Sequence, residues 1–130
     1  MMTYLRTLAV TSLMLLTTAA FGHGNESKPA NPNGGETVKA GAYNLELVVT
    51  DTAIDLYVSD DHNKALDTQE ASVEAVILAD KKKSKVVLSY KQTNQMTVEG
   101  SYTQAKKMKV ILYLQMPGKK KISARFNPKK

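Results

Sequence analysis

Two histidines are the residues of this chain best suited to metal chemistry. His62 lies in SDDHNKALD, directly after Asp60 and Asp61, and His23 lies near the amino terminus in AAFGHGNE. Imidazole and carboxylate groups are ligands for copper, zinc and nickel. The same polar residues are also typical of an ordinary turn, so both interpretations of this segment stay open. The candidate metal ligands are His23, His62, Asp60 and Asp61, and the candidate metal is copper.

The first 22 residues have the layout of a secretory signal peptide. They carry one positive charge at Arg6, an apolar run over Leu8–Leu16 and small residues after it. The apolar run is shorter than the roughly 20 residues that a membrane-spanning helix needs. We therefore expect a cleaved signal peptide at residues 1–22 and a mature, soluble, periplasmic protein without a transmembrane segment.

The chemistry of His23 depends on the cleavage position. Cleavage after Gly22 makes His23 the first residue, so that its free amine and imidazole form a bidentate chelate. Cleavage after Ala20 makes it the third residue, where the amine, two backbone amides and the imidazole form a square of nitrogens. Cu(II) and Ni(II) prefer tetragonal nitrogen sites. Either product offers a copper ligand set, and the first needs additional ligands.

The elements that would position these residues are predicted to be β-strands. Residues 23–35 contain no large apolar side chain and are expected to form a flexible leader before a domain over residues 36–128. Apolar residues then recur with a period of two, which is the period of a strand. This pattern predicts an antiparallel, immunoglobulin-like all-β sandwich of seven or eight short strands. The alternating segments are YNLEL, IDLYV, VEAVIL, VVLSY, MTVEGSY, MKVILYLQM and ISARF.

Other candidate chemistry has less support. Met96, Met108 and Met116 fall on the apolar phase of their segments, which predicts core packing rather than thioether coordination of Cu(I). The chain has no cysteine, so disulfides and thiolate metal sites are excluded. Neither a G-x-S-x-G nor an H-E-x-x-H motif is present. We therefore predict a protein that is not an enzyme.

Charge is divided unevenly along the chain. Residues 23–80 hold three lysines and eleven acidic residues, a net charge of −8. Residues 81–130 hold fourteen basic residues and one acid, a net charge of +13. One interpretation is that the acidic half faces the basic half within the sandwich. The other is a basic face with weak attraction to an anionic membrane surface; the predominance of lysine and the lack of interleaved aromatic residues argue against nucleic acid.

The chain resembles a group of small periplasmic β-sandwich proteins of proteobacteria. The resemblance covers roughly residues 34–127 and rests on an H-G start, GGETVKAGAYNLELVV, IDLYVSDDHNKALDTQEASVEAVIL and a closing strand before ARF. These segments are also similar to the amino-terminal region of some heavy-metal efflux adaptor proteins and to YtkA- and FixH-like domains. The resemblance implies an immunoglobulin-like sandwich and a setting in metal homeostasis, with a heavy-metal efflux or envelope protein as partner. No ligand residue is carried over from it.

Two functions follow as expectations. The first is a periplasmic, non-enzymatic protein that binds or delivers copper or another divalent metal. The alternative is an envelope interaction module that uses a sheet edge or a basic face. The two functions make different demands on His23. Metal binding requires this residue near a free amine, whereas an interaction module does not.

Overall fold

The computed structural model describes residues 30–102 and 107–128, so the predicted signal peptide and His23 lie outside the described residues. The described residues contain eight β-strands. No helix among the described residues is long and apolar enough to cross a membrane. The strands are β1 (Glu36–Ala40), β2 (Tyr43–Val49), β3 (Ala53–Asp60), β4 (Ser72–Ala79), β5 (Lys82–Gln92), β6 (Gln95–Glu99), β7 (Met108–Gln115) and β8 (Ile122–Phe126).

The eight strands form one nearly closed antiparallel sheet in the order β1-β2-β3-β6-β5-β4-β7-β8. Strand β5 is shared: residues 82–88 pair with β4, and its last residues pair with β6. We call β1, β2, β3 and β6 sheet A, and β4, β7, β8 and residues 82–88 sheet B. The edge strands β1 and β8 lie beside each other, and the N–H of Asn127 donates to Glu36 Oε2 at 2.9 Å. The predicted all-β antiparallel architecture is confirmed.

The alternation seen in the sequence places one face of each strand in the core. In β7 the side chains of Met108, Val110, Leu112 and Leu114 are buried, whereas Lys109 is exposed. The same pattern recurs in β3 and β4, and the inward side chains form a single apolar cluster. The predicted core position of the methionines is also confirmed. The buried ones are Met96, Met108 and Met116.

Two local features differ from the sequence expectation. Strand β1 was not among the alternating segments, because Glu36–Ala40 contains one large apolar residue, Val38. Tyr90 was expected in phase with Leu88, yet its side chain is 42% exposed whereas Leu88 is buried. The pairing of β5 with β6 is irregular between Tyr90 and Gln92, and such irregularities re-aim side chains at the end of a strand.

Candidate metal centre

The turn after β3 is organised by the carboxylate of Asp60. Its Oδ1 atom accepts backbone N–H bonds from His62 and from Lys64, both at 2.9 Å. The backbone of Asp60 bonds to the same turn, because its N–H donates to the Lys64 carbonyl and its carbonyl accepts from Asn63 N–H. An Asp that closes a turn in this way is a common structural device. Asp60 therefore holds the turn together.

Electrostatics agree with this role for Asp60. The backbone N–H of Lys64, and then that of His62, holds the pKa of Asp60 below its ordinary value of 3.8. Hydrogen bonds to the ionised form of a carboxyl group favour that form. The side chain is thus an anion at neutral pH, with one oxygen atom engaged by the backbone.

The turn is also fixed to the outer face of sheet A. Asn44 of β2 is only 5% exposed, and its Nδ2 donates to the Asp60 carbonyl at 3.1 Å and to Asn63 Oδ1 at 3.0 Å. Asn63 has a positive φ of 63°, a conformation that asparagine tolerates better than most residues. The neighbouring Ser59 hydroxyl donates to the Asn44 carbonyl at 3.3 Å. The backbone around His62 is therefore held in place by hydrogen bonds from the buried side-chain amide of Asn44.

His62 and Asp61 project from this platform into solvent. Their side chains are 86% and 54% exposed, and His62 Nε2 lies 3.5 Å from Asp61 Oδ1. The two groups thus converge at a place where an ion from solution can reach both. Among residues 30–102 and 107–128, no group of three or more His, Cys, Asp or Glu side chains is arranged to hold a metal. The described residues therefore supply two exposed donors, which is an incomplete ligand set.

The start of the described chain is anchored by Glu46 of β2. This carboxylate is 3% exposed and accepts from Asn33 N–H, from Asn33 Nδ2 at 2.9 Å and from Gly35 N–H at 2.8 Å. A Cβ atom at Gly35 would lie 2.4 Å from the Leu47 carbonyl oxygen, so only glycine permits this close approach. The end of the predicted leader is therefore bound to sheet A.

A small cleft joins this anchored segment to the turn. It has a volume of about 170 Å³, and its lining includes Ala30, Pro32 and Asn33 of the anchored segment and Asn63 and Ala65 of the turn. The structure therefore brings the approach of the leader next to the turn that carries His62. Of the four predicted ligands, Asp60, Asp61 and His62 are together in one turn, and His23 lies outside the described residues.

Two residues that shape this region were not singled out from the sequence. Asn44 and Glu46 occupy outward positions of β2, where polar residues are expected on a solvated face. Both are instead buried, at 5% and 3% exposure. The signal in the sequence was the occurrence of polar residues on β2 together with an Asn-, Pro- and Gly-rich segment before β1. Such a segment supplies backbone N–H groups from which a carboxylate can accept hydrogen bonds.

Comparison with protein-family models, curated proteins and solved structures gives no match for this chain.

Proposed function

We propose that this protein is an exported, non-enzymatic metal-binding protein whose cargo is copper or another divalent metal. The observation that supports the proposal most is the cleft shared by the anchored leader segment and the His62 turn. Lining residues from both segments are bonded to β2, Asn33 through Glu46 and Asn63 through Asn44. A leader that begins with a metal-binding amine and His23 would thus be tethered beside a second imidazole.

The length of the leader is compatible with a joint site. Seven residue steps separate His23 from Ala30, and seven fully extended residues span at most about 25 Å. Ala30 lines the same cleft of about 170 Å³ as Asn63, the residue after His62.

The donor set favours a nitrogen-preferring ion. His23 would contribute its imidazole and, after processing, a nearby free amine, while His62 and Asp61 would contribute the exposed imidazole and carboxylate. This combination suits Cu(II), Zn(II) or Ni(II) better than Ca(II), which prefers oxygen ligands. Asp60 is assigned to the turn rather than to the metal, because its Oδ1 accepts two backbone N–H bonds.

The setting of the proposal is the cell envelope. The signal peptide expected at residues 1–22 would export the chain. The resemblance expected from the sequence, if it reflects function, would make a heavy-metal efflux protein the recipient of the metal. A site that is completed by a tethered leader suits delivery, because the leader can leave the turn without unfolding the sandwich.

Calorimetric titration of Cu(II) tests the proposal. The proteins are processed chains that begin at Phe21 or at His23, the same chain with an additional amino-terminal Met, and the variants His23→Ala, His62→Ala and Asp61→Asn. We expect either histidine substitution to weaken binding by more than about tenfold, the lower end of the cost of disturbing a metal site. The Met extension should weaken binding by blocking the amine. Binding should also weaken on acidification, because ligands must be deprotonated.

Glu70→Gln is a matched control for Asp61→Asn, since Glu70 is also an exposed acid in the connection between β3 and β4. It should bind copper as tightly as the wild type. Equal affinities for wild type, His23→Ala and His62→Ala would reject the proposed site.

A further inference from the structure

The outer face of sheet B has a composition that the candidate metal centre does not explain. Residues directly opposite each other in antiparallel strands share a face, so the register defines the outward side chains. In one row Val76 of β4 lies between Lys85 of β5 and Ile111 of β7, with Arg125 of β8 beyond. We call this surface the basic face. Its members are Glu74, Val76, Leu78, Lys83, Lys85, Val87, Lys109, Ile111, Tyr113, Ser123 and Arg125.

The centre of the basic face is apolar. Val87 is 60% exposed and Leu78 is 37% exposed. Only one other large hydrophobic side chain in the described part of the chain, Tyr90, is exposed. Half-buried Val76 lies between them, two residues before Leu78 on β4, and half-buried Ile111 of β7 lies opposite Val76. A soluble domain seldom leaves such residues adjacent on a flat face without a partner.

Positive charge borders this apolar centre in the rows of Val76 and Leu78. Lys83, Lys85, Lys109 and Arg125 lie on the face, and the only acid on it, Glu74, contacts Lys85 with Nζ and Oε2 3.2 Å apart. More lysines lie near the β4–β5 hairpin, around a groove of about 520 Å³ that is also lined by Leu78 and Ala79. The lysines that line this groove are Lys81, Lys82, Lys83, Lys107 and Lys109.

The hairpin itself is built at a cost to its own stability. Asp80 and Lys81 join β4 to β5 with φ values of 50° and 62°. Two-residue hairpins of this kind favour Asn-Gly, because glycine adopts positive φ without strain. A lysine at this position is unfavourable for the turn but adds a positive charge to the groove.

We propose that the basic face docks onto a membrane surface that contains anionic lipid headgroups. The lysines would lie over the lipid phosphates, with their aliphatic stems along the apolar centre, and Val87 and Leu78 would contact the boundary between headgroups and acyl chains. Of the seven cations on the face and in the groove, six are lysines. Lysine acts as a point charge without bidentate geometry, which suits a diffuse anionic surface better than a defined acidic protein site.

Sedimentation of the processed protein with vesicles tests this inference, which does not depend on the metal site. The vesicles are phosphatidylcholine alone, or phosphatidylcholine with about one-third phosphatidylglycerol as the source of the anionic surface. Each basic residue near such a surface contributes about 1 kcal/mol, or roughly fivefold in binding. We therefore expect the double variant Lys83→Gln/Lys109→Gln to bind roughly 25-fold more weakly. Adding Val87→Ser to this variant should weaken binding further.

The matched control is Lys39→Gln, because Lys39 is an exposed lysine that lies opposite Asn44 on the outer face of sheet A. Its effect should stay below about twofold, since charges beyond a Debye length are screened. Thermal melts establish that the variants are folded. The salt dependence of wild-type binding is a second test that needs no variant, and binding should fall steeply between low and high salt.

Equal binding to neutral and anionic vesicles, binding insensitive to salt, or equal losses for the Lys39 and Lys83/Lys109 variants would each overturn the inference. Absence of vesicle binding together with saturable, salt-sensitive binding of an acidic peptide to the same lysines would also overturn it, in favour of a protein partner.

Discussion

The two outer faces of this protein are built from similar strands and yet present opposite chemistry. On sheet A the polar side chains have partners within the chain: Gln95 donates to Asp55 Oδ1 at 3.2 Å, and Glu46 accepts from the leader segment. On sheet B the outward side chains are mostly apolar or cationic, with Glu74 as the acid among them. Among the described residues, Lys85–Glu74 is the single contact within 4 Å between a lysine or arginine and a carboxylate. Gln95 and Glu46 on sheet A are thus bonded within the chain, whereas the outer face of sheet B is the one that we propose docks onto a membrane.

The same comparison explains the charge division along the chain. Strands β1, β2 and β3 come from the acidic half and form most of sheet A, while β5, β7 and β8 come from the basic half and form most of sheet B. The inner faces of both sheets are apolar, so the two halves present their charges on opposite outer surfaces. The acidic half and the basic half therefore lie mostly in different sheets, on either side of a shared apolar core.

The largest effect is expected for the core that supports both faces. Leu112 is fully buried in β7 between Val110 and Leu114. Leu112→Ala should lower the free energy of unfolding by about 2–5 kcal/mol, because it leaves a cavity. Urea denaturation measures this change. Lys109→Ala, on the outward phase of the same strand, should change stability by less than about 0.5 kcal/mol; the reverse order would show that the two phases of β7 are assigned to the wrong sides.

The next effect concerns the covering of sheet A. Glu46→Gln replaces a carboxylate oxygen by an amide NH₂ group, which then faces the N–H donors of Asn33 or Gly35. An unpaired buried polar group costs about 1–3 kcal/mol, and we expect a loss of that size in urea denaturation. Copper affinity should also fall because the leader is released from the cleft. Glu99→Gln, at an exposed position of β6, is the control and should change neither quantity.

A smaller effect of opposite sign is expected at the edge of the basic face. Lys81→Gly relieves a positive φ of 62°, and should stabilise the fold by up to about 1 kcal/mol after the entropic cost of glycine is subtracted. Binding to anionic vesicles should nevertheless fall roughly fivefold. A thermal melt and vesicle sedimentation on the same sample separate the two effects. Loss of stability would show that the lysine is required by the hairpin itself.

The smallest effect is the pH response of the His62 turn. The pKa of Asp60 is lowered in the folded protein by the backbone N–H groups of Lys64 and His62. A lowered pKa means that the folded state favours the anion. The stabilisation is therefore present above the ordinary value of 3.8 and is lost as the pH falls through the lower folded value. Asp60→Asn should flatten the stability profile below the ordinary value of 3.8, measured by urea denaturation; an unchanged profile would show that Asp60 does not hold the turn.

The sequence was sufficient for the parts of the fold that depend on local alternation. The buried phases of MKVILYLQM and ISARF follow directly from apolar periodicity, and the structure has them as predicted. The pairing of β3 with β6, and the passage of β5 from one sheet to the other, depend on contacts between distant residues. The basic face could not be assembled from the sequence for this reason, since its members come from four strands.

The candidate site was predictable in part. The polar turn around His62 was evident from Asp60 and Asn63, both of which have local turn chemistry. The anchoring of Asn33 and Gly35 was not evident, because Glu46 is thirteen and eleven residues away from them and was placed on a solvated phase. Only the folded chain brings the end of the leader to the cleft beside Asn63.

Paramagnetic broadening by Cu(II) tests the central claim most directly, namely that metal is bound at the His62 turn, on the sheet A side of the molecule. Substoichiometric Cu(II) is added to the ¹⁵N-labelled processed protein, and the intensity of each backbone amide signal is followed. We predict that the amides of residues 61–63, Asn31 and Asn33 lose intensity first, while those of Lys83 and Lys109 on the basic face keep theirs. Loss of intensity at the basic face with the turn unaffected, or equal loss along the whole chain, would contradict the proposed site.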